Sequence, residues 1–253
     1  MTTDAYLVAA LAVALTGISK SGFAGGLGIL GVPLVALTMP VQEAAVLLLP
    51  VLVGIDLLSV WRYRRAWQAR LVLVLLPGAA LGIVLGMVGF SQVDPDGLRL
   101  AIGVMALVFV ARFVWRGPDT APVTAAPRAV VFLASLLSGF AGFVAHAGGP
   151  PIKGTFLRMN LDKSAFVGTN AVFFFVLNMA KGFGYGALGL LTTEGLWASA
   201  LLVPFLLIGV GLGMALHDRI PQALFVRLAY GLLALAGLNL VVLGGASLWA
   251  GAS

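Results

Sequence analysis

The 253 residues contain no cysteine. Disulfides, thiolate metal sites and thiol catalysis are therefore excluded, and cysteine usage gives no redox compartment. Charge is scarce too, with Asp, Glu, Lys and Arg together making up 9% of the chain. Histidine occurs only at 146 and 217, and no HExxH pattern offers the paired ligands of a zinc hydrolase. A GxxxxGK[ST] phosphate loop is missing as well, so direct use of ATP is not expected.

Apolar residues fill the place of what is missing. The chain is 61% hydrophobic, with a mean hydropathy of +1.09. Apolar runs of about 20 residues, each enough to cross about 30 Å of hydrocarbon, recur along nearly the whole length. They leave no stretch for a separate soluble domain, so residues 1–253 read as one all-α polytopic transmembrane domain. The net charge of +6 would suggest nucleic acid in a soluble protein. Here it reads as basic loops held on the cytoplasmic side, with the lipid bilayer and not nucleic acid as partner. The start, MTTDAYLVAA, has an acid and no basic residue before its apolar run, unlike a cleaved signal peptide, and residue 1 onward is read as mature protein.

Residues 139–154, GFAGFVAHAGGPPIKG, interrupt this pattern with five glycines, two adjacent prolines, a histidine and a lysine. Inside a helix glycine costs roughly 1 kcal/mol and proline roughly 3 kcal/mol relative to alanine, so one uninterrupted helix is not expected. Broken backbone at membrane depth is tolerated only where protein or a water-filled cavity satisfies its polar groups. A second copy exists: GFAGGLGILGVP at 22–33 matches GFAGFVAHAGGP at 139–150 in its first four residues and again at Gly31 with Gly148 and Pro33 with Pro150. Each copy leads through a short polar turn, PVQEAA at 40–45 or NLDKSA at 160–165, into another apolar span.

Eight hydrophobic segments follow, four per half: 5–38, 43–61, 71–90 and 97–115, then 129–157, 165–187, 195–216 and 223–249. The repeats run from about 5–116 and 128–250. Residues 5–38 would span about 51 Å as one helix, so the first segment of each half is either broken or folded as a hairpin. Arg62, Arg64, Arg65 and Arg70 form one basic cluster, Arg112, Arg116 and Arg128 the next, then Lys153, Arg158 and Lys163, and finally Arg219 and Arg227. All become cytoplasmic if 129–157 folds back. The same hairpin at 5–38 makes the halves inverted repeats, an architecture whose sites lie beside discontinuous helices near the midplane.

The glycine-rich SGFAGGLGILGVPLVAL at 21–37, its second copy around HAGGPP at 146–151 and the eight-segment layout resemble the TauE/SafE family, the sulfite exporter or toluene sulfonate uptake permease family. The resemblance covers nearly the whole chain. It implies a multi-pass transporter of the bacterial inner membrane that moves sulfite, sulfoacetate or a related sulfonate.

Residue chemistry points to an anion independently. A restarting half-helix offers free N–H groups and the positive end of its dipole, and glycine lets an anion approach. Gly22, Gly25, Gly26 and Gly28 belong to the first break, and Gly142, Gly148 and Gly149 to the second. Two breaks meeting at the centre would make one electropositive pocket. Small residues at four-residue spacing, such as Gly22 with Gly26, equally serve close helix packing. Lys20, followed by Ser21, and Lys181, near Asn170, Asn178 and Tyr185, lie inside apolar runs. There a charge costs about 2.5–3.5 kcal/mol unless paired or hydrated, although both lysines could snorkel. Asn178 and Lys181 are three apart and share a helix face.

His146, at an unperturbed pKa of about 6.5, could bind the anion or relay a proton. A hydrogen-bonded structural histidine is the plainer reading. Asp56 is the one carboxylate well inside a span, a second proton-coupling candidate or a partner for nearby Arg62. Lys153 could guard the cytoplasmic mouth or serve as positive-inside anchoring, and Trp61, Tyr63, Trp67 and Trp115 read as interfacial aromatics. The expectation is a secondary anion transporter with no catalytic residue, metal or cofactor. An anion channel, an intramembrane serine protease built on Ser21 and His146, and a homo-oligomer all stay open.

Overall fold

The computed structural model describes residues 2–22, 28–116, 127–158, 161–216 and 219–252. Among these the structure is helical, without strands. Eight helices are long and apolar enough to cross a membrane: α1 (Thr3–Gly22), α3 (Val41–Arg62), α4 (Ala69–Gln92), α5 (Pro95–Arg116), α6 (Arg128–Ala145), α8 (Lys163–Ala187), α9 (Thr193–Leu216) and α10 (Gln222–Ala252). Two short helices complete the set, α2 (Gly31–Val35), preceded by a 3-10 turn at Gly28–Leu30, and α7 (Gly149–Arg158).

Both expected breaks are present, and both fold back. A Cβ on Gly148 would lie 2.6 Å from the carbonyl oxygen of Ser138, whereas ten residues of continuous helix would put them roughly 15 Å apart. A Cβ on Gly31 would lie 3.7 Å from Oγ1 of Thr16, where fifteen residues of helix would give roughly 22 Å. The arms are unequal. Expected as two shorter helices, each hairpin instead pairs a first arm of 20 residues (α1) or 18 residues (α6) with a stub of 5 residues (α2) or 10 residues (α7). α1 ends at Gly22 and α6 at Ala145, each after an apolar run long enough to span, and Pro33, Pro150 and Pro151 lie within the stubs.

The chain divides into two compact units, and the division passes through α3 and α4. The first unit comprises Met1–Val51, Gly89–Gly117 and Leu191–Ser253. Here α1 packs on α9 through glycine. A Cβ on Gly17 would come within 2.7 Å of the Leu206 carbonyl, one on Gly209 would collide with the Ala14 backbone, and one on Gly213 would lie 2.6 Å from the Ile18 carbonyl. Ser21 Oγ donates to the carbonyls of Gly17 (2.8 Å) and Val210 (3.0 Å), pinning the same crossing. Helices α5 and α10 meet at Gly103 and Gly237 and at the stacked rings of Phe113 and Tyr230, 4.1 Å apart.

The second unit comprises Leu52–Val88 and Pro118–Leu190. Its α4 packs on α6 in the same manner. Cβ atoms on Gly78, Gly82 and Gly86 would meet the Phe132 carbonyl (2.6 Å), the Phe140 amide (2.7 Å) and Phe143 (2.8 Å). This repetition has a sequence basis beyond the paired breaks. PGAALGIVLGM at 77–87 matches PFLLIGVGLGM at 204–214 at the proline, both spaced glycines, the leucine and the methionine. Gly82 thus corresponds to Gly209 and Gly86 to Gly213. Each half contributes a full-length first arm and a glycine-faced helix, and each glycine-faced helix packs on the first arm of the other half.

Proline lies inside α3 (Pro50), α4 (Pro77) and α9 (Pro204), as spanning helices permit when neighbours satisfy the freed carbonyl. Asp162 caps α8 by accepting from the amides of Ser164 and Ala165, both at 2.9 Å, which fixes where the polar turn ends and the helix begins.

Candidate functional site

The second unit buries a set of polar groups around the end of α6. The helix stops at His146, which adopts φ 53° and ψ 24° and is the only non-glycine residue with positive φ among those described. Its amide bonds the Gly142 carbonyl at 3.1 Å, and the Ala147 amide reaches back to Ala141 at 3.0 Å. The first is the 5→1 bond by which a left-handed residue terminates a helix. Glycine is usual there, and histidine is among the few other residues enriched in that conformation.

Two side chains of α8 take up the carbonyls of this end. Lys181 Nζ donates to the Gly142 carbonyl at 3.0 Å and lies 2.6 Å from Nδ1 of His146. The Tyr185 hydroxyl donates to the Phe143 carbonyl at 2.5 Å. Lys181 and Tyr185 are one turn apart, so one face of α8 reads two consecutive carbonyls of α6. The ammonium sits at the negative end of the α6 dipole, where a cation is favoured. An ammonium can only donate, so with Lys181 charged Nδ1 is the acceptor and the ring hydrogen falls to Nε2.

One turn back along α8, Asn178 Nδ2 donates to Oδ2 of Asp56 on α3 at 2.5 Å. Asp56, Asn178 and Lys181 are each 3% exposed and His146 8%, so this acid, amide, base and imidazole are all removed from bulk solvent. Asp56 was expected to couple protons or to pair with Arg62. Its partner here is Asn178, while Arg62 is exposed with its guanidinium 5.5 Å from the Tyr63 ring.

The glycines of the second break separate into two kinds. Gly148 is a packing position, its Cβ blocked by the Ser138 carbonyl and by Phe174 at 3.1 Å, and its own carbonyl accepts from Ser138 Oγ at 2.7 Å. Gly149 has open space where a side chain would be. It begins α7 together with Pro150 and Pro151. Prolines carry no N–H, so two of the four amides that a helix start normally presents are missing.

Of the other sequence candidates, Asn170 is half-buried on α8, on the Lys181 face and about three turns before it. Lys20 is half-buried in the last turn of α1, Ser21 bonds α9, Gly22 ends α1, and Gly28 is unobstructed. These four belong to the first unit. Gly25 and Gly26 lie outside the described residues. The structure thus brings together His146, Asp56, Asn178 and Lys181, with Gly148 at the hairpin closure and Gly149 beside it. It adds Ser138, which the sequence did not single out, and gives Gly142 a role through its carbonyl and Tyr185 a partner in the Phe143 carbonyl. Tyr185 was accessible by its helical spacing from Lys181. The carbonyl and Ser138 act through the fold-back and leave no local signal.

The model of one protein family, described as sulfite exporter TauE/SafE, matches residues 9–240. No curated protein and no solved structure matches the chain.

Proposed function

Since the chain belongs to the sulfite exporter TauE/SafE family, we propose that it is a secondary transporter, or permease, of the bacterial inner membrane that moves a small anion such as sulfite, sulfoacetate or another sulfonate. Membership makes it a transporter. The observation that carries the anion reading is Lys181, a buried cation held against His146 at the end of a broken spanning helix. A charge in a membrane interior is expensive enough that its retention marks a pathway or a binding site. An ammonium and an imidazole side by side offer converging N–H donors to an oxyanion.

Transport is coupled to protons through His146, which touches Lys181, or Asp56, which is bonded to Asn178 one turn away on α8. The halves are inverted repeats with both termini outside, a reading supported by the basic clusters at 62–70 and 153–163 and by the matched packing of α1 on α9 and α6 on α4. A reporter fused after Arg158 is then cytoplasmic, and a periplasmic signal overturns the inverted arrangement.

Flux into proteoliposomes tests the function. Uptake of sulfite or sulfoacetate that saturates and responds to an imposed pH gradient is expected. Flux that rises without saturation points to a channel, and no flux of any sulfur oxyanion removes the proposal.

A further inference from the structure

Lys181 Nζ and His146 Nδ1 stand 2.6 Å apart, and with Lys181 an ammonium that contact exists only while Nδ1 keeps a lone pair. An imidazolium carries hydrogen on both ring nitrogens and cannot accept from an ammonium. Two cations at that distance also repel. The neutral ring therefore occupies one of the three directions in which Lys181 can donate and the Gly142 carbonyl a second, so an oxyanion that takes two donors from Lys181 while the carbonyl anchor holds displaces the ring.

We propose that His146 takes up one proton for each anion that Lys181 receives, because the Lys181–His146 contact has to open for either to bind. This deepens the proposed function and rests on it. It assigns the coupled proton to His146 and not to Asp56, and makes the stoichiometry a consequence of one hydrogen bond.

The backbone around His146 is fixed, its amide bonded to Gly142 and the next amide to Ala141, so the exchange of partners falls to the side chains. Lys181 retains the Gly142 carbonyl as an anchor at 3.0 Å while its other donors turn to the anion. The protonated ring becomes a second donor to the same ligand, and the anion supplies the counter-charge for the imidazolium.

Other titratable or charged groups stand on the elements around this contact. From α8, Tyr185 is engaged as a donor to the Phe143 carbonyl. From α3, Asp56 accepts from Asn178. The close contacts of α4 with α6 run through Gly78, Gly82, Gly86 and Ala79, and α7 carries the half-buried Lys153.

The test uses the full chain in lipid nanodiscs, labelled with 15N-histidine, near neutral pH. Sulfoacetate is the probe because its sulfonate and carboxylate both stay ionised there, so any proton taken up goes to the protein. His146→Asn is the matched variant, since asparagine accepts a left-handed backbone and cannot titrate, and its missing signal distinguishes His146 from His217. Without anion, the wild-type ring should show Nδ1 without hydrogen. Saturating sulfoacetate should protonate both nitrogens, and calorimetry in buffers of unequal ionisation enthalpy should read one proton taken up per anion. His146→Asn should bind with none. Binding to the wild type with a neutral ring and no proton uptake overturns this inference and leaves the transporter reading intact, as does undiminished uptake in His146→Asn. Failure of the wild type to bind sulfoacetate or sulfite removes both.

Discussion

Lys181 reaches across 35 residues of sequence to touch His146 while donating to the carbonyl of Gly142. One ammonium thus both caps a helix and holds the side chain at its break, so its replacement has two separable consequences. Lys181→Met should lower the thermal stability of the purified protein, because a charged hydrogen bond contributes about 1.5–3 kcal/mol. It should also weaken anion binding roughly tenfold or more, equivalent to about 1.4 kcal/mol. A stability loss with an unaltered Kd assigns Lys181 to capping alone.

The left-handed backbone at His146 makes the choice of replacement matter. Alanine there costs about 1–2 kcal/mol of backbone strain that asparagine largely escapes. His146→Ala should therefore unfold at a lower temperature than His146→Asn, while both flatten the pH dependence of flux. Equal melting temperatures would show that the conformation exacts no such cost. Flux unchanged at every pH in His146→Asn takes the imidazole out of transport.

Gly148 and Gly149, adjacent in sequence, should respond oppositely. Gly148→Val drives a side chain into the Ser138 carbonyl and should cost about 1–3 kcal/mol or more from overpacking, seen as lost folded yield. Gly149→Ala meets open space and should fold normally. Its anion affinity then reports directly on whether ligand approaches the start of α7.

The helix crossings offer a test independent of any ligand. Gly82→Ala and Gly209→Ala, at matching positions of the two halves, should each destabilise the protein in detergent by about 1–3 kcal/mol. Gly54→Ala and Gly231→Ala, which meet nothing within 4 Å, should be neutral or stabilising by up to about 1 kcal/mol. Similar losses in both pairs would mean that glycine content and not close approach decides stability.

Asp56→Asn keeps the shape of the side chain and an acceptor for Asn178. The variant should fold, and saturable anion uptake should persist with its pH dependence intact. Loss of that pH dependence moves the coupled proton from His146 to Asp56.

Local physics made much of this legible in the sequence. The eight segments, the two breaks and the shared face of Asn178 and Lys181 all follow from hydropathy, glycine and proline chemistry and helical spacing. The repeat at 77–87 and 204–214 was equally readable, since proline and glycine recur there at fixed offsets, yet its meaning needed the packing of α4 on α6. Asp56 is different. Its partner Asn178 is 122 residues away, whereas Arg62 stands within two turns, and proximity along the chain pointed to the wrong neighbour. Nor could spacing separate Gly148 from Gly149, because only the fold-back decides which of them faces Ser138. Lys20 and Ser21 looked alike as polar residues in an apolar run, and the α1–α9 crossing gives the serine its two carbonyl partners.

Pro150 and Pro151 deprive the restart of α7 of amides, so the cationic character of this site comes from side chains more than from peptide groups. Peptide groups are the same whatever the gene encodes, but Lys181 and His146 can each be exchanged by a single codon change. A carrier built this way can drift from one anion to another, altering charge or reach at two positions while the hairpin that presents them stays as it is. Relatives sharing this scaffold would then differ in what they carry through substitutions at the positions of 146 and 181, and those two sites are where a change of cargo should first be sought.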